Sequence, residues 1–180
     1  MHARMTALAA VSLACAVCWV SPGCVARAEP AREIPQSVAT EHESTLNYLR
    51  SIAARPTPEG AAAQKVIDLL TPHMAKEEEF VLPPLVLLPE LSAGKVTQDQ
   101  RWAIPLADRV KAEQAELLKI HEALSNAFIE LLQAAEAEND EVTVGFTKDL
   151  AADDLGDREV TEPTTILIGE FLRLKLEPTQ

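Results

Sequence analysis

Histidine 73 and glutamate 77 are the residues most able to do chemistry, set four apart in "HMAKEEEFVLPP". Spaced this way on a helix they share one face, and that face is otherwise apolar: Val66, Leu69, Leu70, Phe80 and Val81 recur on it at 3.6 spacing. An imidazole one turn from a carboxylate is a ligand pair for a hard or borderline cation. By itself the pair also fits a solvated acidic turn, because Glu forms helices well and runs of charge favour water.

An internal repeat raises the pair above that background. Leu70, His73, Glu77, Glu79, Phe80 and Pro83 align with Leu150, Asp153, Asp157, Glu159, Val160 and Pro163, each 80 positions on. His42 and His121 open two further His-Glu pairs at nearly the same separation. Each half thus offers one imidazole on a first helix and a spaced pair of donors on a second. Burying carboxylates costs several kcal/mol per ion unless something positive offsets them. No Lys or Arg shares the stripes of Glu77, Asp153 and Asp157. His42, His73, Glu77, His121, Asp153 and Asp157 are therefore candidate metal ligands, with two cations expected from the two halves. The alternatives are one cation on the histidine-rich side, or a bundle whose acids reach water and hold no metal.

Four amphipathic stretches must position these residues. The first carries Val38, His42, Thr45, Leu46, Leu49 and Ile52; "RPTPEG" ends it, with Thr57 as N-cap and Pro58 as first residue of the next. The second contains Pro72, which predicts a kink or a fresh start at Thr71. An apolar loop, "PPLVLLPELSAGK", leads to a capping box at Thr97 to Gln100. The third and longest places Val110, Glu113, Leu117, Ile120, His121, Leu124, Phe128, Leu131 and Leu132 on one side. For the fourth the expected stripe is Phe146, Leu150, Asp153, Asp157, Val160, Thr164, Leu167 and Phe171. "EVTVGF" alone hints at a strand, and the helical stripe absorbs it. The fold class is all-α, an up-down-up-down four-helix bundle.

The N-terminus reads differently. A weakly basic start, the apolar run "TALAAVSLACAVCWV" and Ala26-Arg27-Ala28 form a secretory signal peptide over residues 1–28. A polar tether follows at 29–36, then the domain at 37–177. A retained membrane anchor, or a lipoprotein modified at Cys24, are the other readings. All cysteines fall within the leader, so the remainder has no disulfide and depends on its core or a metal. Removing Arg4 and Arg27 leaves 14 basic against 28 acidic residues, a charge of −14. That charge argues against nucleic acid and anionic membrane surfaces as partners, and no membrane span is expected in the mature chain. The oligomeric state is not legible.

In "EHESTLNYL", "HMAKEEEFVLPPL", "IHEAL" and "EVTEPTTILIGEFLRLKL" the chain resembles the hemerythrin family, in its HHE cation-binding branch, over roughly residues 38–176. The resemblance implies iron, with two ions per chain, His42, His73 and His121 as terminal ligands and Glu77 as a bridge. It implies binding or sensing of oxygen, nitric oxide or peroxide, iron handling, or an oxidase- or reductase-like reaction. The chain departs from the family on the fourth helix, where Asp153 and Asp157 replace histidine and glutamate, and around His121, where no second histidine stands four residues away. More carboxylate and less imidazole favours Fe(III), against reversible oxygen carriage.

Overall fold

The structure, a computed structural model, describes residues 33–177. The signal peptide and the first half of the tether lie outside these residues. The protein is all-α. Helix α1 spans Gln36–Ala53, α2 Pro58–Lys76, α3 Leu88–Ser92, α4 Ala103–Glu138, α5 Glu141–Gly156 and α6 Glu162–Leu176. Among the described residues no helix is long and apolar enough to cross a membrane.

Local chemistry sets the boundaries. The Thr57 side chain accepts from the Gly60 amide, and Pro58 supplies the first residue of α2, whose own amide would be unpaired there anyway. Gly60 is required by space, since a Cβ there would lie 2.1 Å from the Arg55 carbonyl oxygen. Helix α2 continues through Pro72 without a break. The loop after it is largely helical, with a 3₁₀ stretch at Pro83–Leu87 leading into α3. Thr97 and Gln100 form the capping box, ahead of a 3₁₀ turn at Gln98–Trp102. Asn139 ends α4 in the left-handed conformation (φ 59°), and the Asp140 carboxylate caps α5 by accepting from the Thr143 amide.

The 80-residue repeat is present in the backbone. A π-helical turn at Glu77–Val81 follows α2, and another at Asp157–Thr161 joins α5 to α6. Both precede a proline, Pro83 and Pro163, at the same offset. A proline ring presses on the carbonyl four residues back, which is residue 79 or 159, inside the widened turn. The Thr165 hydroxyl donates to the Val81 carbonyl at 2.6 Å, linking the two halves.

Helix α4 is the central rod: α2, α5 and α6 pack along it, and α1 packs on α2. Gly169 permits the close approach of α6 to α4, as a Cβ there would meet Ala107 Cβ at 2.3 Å. One apolar cluster gathers Leu49, Ile52, Leu70, Leu124, Phe128 and Leu150, and a second Phe80, Val81, Val110 and Leu117. His73 and Glu77 follow Leu70 and precede Phe80; His121 lies between Leu117 and Leu124. A buried polar layer therefore interrupts the core between two apolar ones.

Candidate metal centre

His73 is 2% exposed, and neither of its ring nitrogens has a hydrogen-bond partner. Its Nε2 stands 3.3 Å from Glu77 Oε1, an electrostatic approach rather than a formed hydrogen bond. Its ring meets that of His121 edge-on, with centroids 4.7 Å apart. From α1, His42 points Nε2 at Glu77 Oε2, 3.6 Å away, and its Nδ1 lies 3.0 Å from Glu78 Oε1. The sequence-expected helical stripes bring these groups together, because on α1, α2 and α4 one face is clearly the more apolar.

On the fourth helical stretch the expected face is corrected. Asp153 is exposed, and Asp157 is half-buried beside Glu77. The inward positions are Thr143, Thr147, Leu150, Asp154, Glu162, Thr165, Ile168 and Leu172, one residue round from the expected stripe. Val160, Leu167 and Phe171, placed inside by that stripe, are exposed. The physical reason is that threonines build the buried face. Thr147 satisfies its hydroxyl on the Thr143 carbonyl at 2.7 Å, and Thr165 on Val81, so both are buried without loss.

Two carboxylates not foreseen from the sequence complete the layer. Asp154 Oδ1 lies 2.8 Å from His121 Nδ1, and Glu162 Oε1 2.9 Å from His121 Nε2. Their repeat counterparts are Met74 and Leu82, so the repeat gave no sign of them. The available sign was the spacing Thr143, Thr147, Leu150, Asp154, had threonine been counted as a core residue.

The electrostatics follow from these contacts. Carboxylate oxygens only accept, so His121 must carry protons on both nitrogens to satisfy both neighbours. Burial opposes that charge, but the hydrogen bonds to Asp154 and Glu162 outweigh it and lift His121 to about 9. Burial likewise pushes Glu77 up, yet His73 and His42 more than offset it and hold the carboxyl below its ordinary range. Asp157 goes the other way, raised to about 7 by burial and then by the adjacent charge of Glu77. Burial and Asp149 also raise Asp153, at the rim.

Among the described residues two three-residue donor sets converge, with ligand atoms within 4.8 Å of one another: His73, His121 and Asp154 in one; His73, Glu77 and Asp157 in the other. His73 belongs to both. No known protein family, no curated protein and no solved structure matches the chain.

The remaining acids are placed as their neighbours dictate. Glu113 pairs with Lys76 and Arg109, each at 2.7 Å. Glu79 is exposed and pairs with Arg109, whose guanidinium lies over the Phe80 ring. Glu43, Glu122 and Glu159 are exposed. Glu78 alone among these acids reaches the layer, through His42.

Proposed function

We propose that the polar layer is a metal centre, in a hemerythrin-like four-helix bundle of up-down-up-down order formed by α1, α2, α4 and the α5–α6 pair. One observation carries this reading: an imidazole buried to 2% exposure with both nitrogens unpartnered, facing carboxylates. Each unsatisfied buried polar atom costs about 1–3 kcal/mol, and a cation at that point would remove the penalty. His73, Glu77 and Asp157, with His42 beside them, would hold one ion; His73, His121 and Asp154 would hold the second, with Glu162 accepting from the other nitrogen of His121. Four carboxylates then face two divalent cations, which balances the charge of the layer. Asp153 has no ligand role in this assignment.

The resemblance of the sequence makes iron the favoured metal, about two ions per chain. Iron in such a site supplies a Lewis-acidic, redox-active position for oxygen, nitric oxide or peroxide. The protein's own groups flank the site with apolar layers and set its charge through four carboxylates. The leader assigns the protein to an exported compartment. Binding or sensing of the small ligand, or iron handling, needs nothing beyond this centre, whereas an oxidase or reductase would also need an electron donor.

A second reading is favoured by one specific contact. His121, clamped at 2.8 and 2.9 Å, can itself be the buried cation, leaving a metal-free bundle that acts through its acidic surface. The test is metal retention by His73→Ala against Glu79→Ala. The metal-centre reading expects loss in the first and wild-type content in the second; a wild-type protein that binds nothing leaves the metal-free bundle.

A further inference from the structure

A cavity of about 390 Å³ opens beside the polar layer, with its mouth between α1 and the end of α5. We propose that it is the loading port through which a hydrated divalent cation reaches the layer, with Glu41 and Asp153 as capture groups at the mouth. This rests on the metal-centre reading and assigns to Asp153 a role different from that of a resident ligand.

The lining is graded. Glu41 and Asp153 are exposed at the rim, Asp157 is half-buried one helical turn from Asp153, and Glu77 and His73 are buried. Residues four apart on a helix are separated by about 6 Å along its axis, a short step for an ion passing from one carboxylate to the next. Among the described residues no Lys or Arg lines the cavity. At the inner end lies His73, whose buried ring nitrogens have no hydrogen-bond partner, so the path ends on an unsatisfied imidazole.

The volume agrees with a solvated ion. Six waters at roughly 30 Å³ each occupy roughly 180 Å³, so a cation can enter with its shell and lose water stepwise to oxygen donors. A diatomic ligand would need only a small part of this space. The Asp153-Asp154 doublet also gains a meaning, since adjacent residues on a helix diverge by about 100°, placing one acid at the mouth and the other in the layer.

The probe is Co(II) alone, added to the purified protein and followed by stopped-flow visible absorption. The Glu41→Gln/Asp153→Asn double variant takes up Co(II) about tenfold more slowly at low salt, reaching the wild-type Co(II) content. The difference narrows as salt rises. A control double variant, Glu43→Gln/Glu122→Gln, removes the same charge from exposed positions outside the cavity and keeps the wild-type rate. Equal rates for wild type and the rim variant overturn the port, as does equal slowing in the control. A folded rim variant with reduced final content also overturns it, because Asp153 or Glu41 is then a ligand. If the wild type binds no Co(II), the port and the metal-centre reading fall together, whereas normal binding at unchanged rate removes the port alone.

Discussion

Among the described residues buried acid gathers in two clusters, and they are neutralised differently. Near the α4–α5 turn, Glu59 is 1% exposed, and Arg55 reaches both Glu59 Oε2 at 2.8 Å and Asp140 Oδ2 at 2.6 Å. In the polar layer Glu77, Asp154 and Glu162 face imidazoles, Asp157 lies beside Glu77, and neither nitrogen of His73 has a hydrogen-bond partner. A guanidinium is a permanent, forked cation that fixes a structure. An imidazole can surrender its charge and offer a lone pair instead. The first cluster draws a permanent cation from the chain itself, with Glu59 Oε1 alone left without a hydrogen-bond partner; the second has no such cation among the described residues, and under the proposed function a metal supplies it.

Removal of a central donor should have the largest effect. Glu77→Ala should lower metal affinity at least about 100-fold, because an inner ligand matters more than the 10–100-fold of an outer-shell partner. Atomic absorption of the dialysed protein reads this, and retention equal to wild type contradicts the assignment. Asp154→Asn should lower affinity by about tenfold, less than Glu77→Ala because the amide oxygen can still ligate without the charge, with Asp153→Asn leaving equilibrium content unchanged. The reverse pattern would restore the face expected from the sequence.

At the other cluster, Arg55→Met leaves Glu59 buried without its cation and should lower Tm by roughly 5 °C. Calorimetry with and without metal should give the same loss, since nothing bound in the polar layer replaces Arg55. A loss that metal reverses would show the two clusters to be one system.

A smaller effect separates them by pH. In the metal-free protein His121 is raised from 6.5 to about 9 and Asp157 from 3.8 to about 7. A group raised on folding contributes stability at low pH that is lost as pH passes its folded value. For Asp157 the loss runs from about pH 4 to 7, and for His121 from about 6.5 to 9. Tm of the metal-free protein should therefore fall by a few degrees between pH 6 and 9.5, with His121→Gln flattening the upper part. Metal affinity should rise over the same range, because ligands must shed protons to bind.

Much of this was legible in the sequence, and what was not has a physical cause. Helices α1, α2 and α4 showed their buried faces because apolar residues crowd one side and charge the other. The Thr57 cap and the Thr97–Gln100 box were readable because their side chains bond locally. Helix α5 offered no such contrast: Thr143 and Thr147 are buried, Val142 and Leu155 are exposed, and Asp154 was consequently missed. The repeat placed Pro83 and Pro163 in register without announcing the π turns before them, since residue types do not encode an added residue per turn. His73 and Glu77 were found because they interrupt an unambiguous apolar stripe.

The most direct test is the iron content of the purified protein after anaerobic loading with Fe(II) and removal of unbound metal, measured beside His73→Ala. About two irons per wild-type chain, and a clear loss in the variant, is the predicted result. No iron retained by the wild type would contradict the account and leave His121 as the layer's own cation.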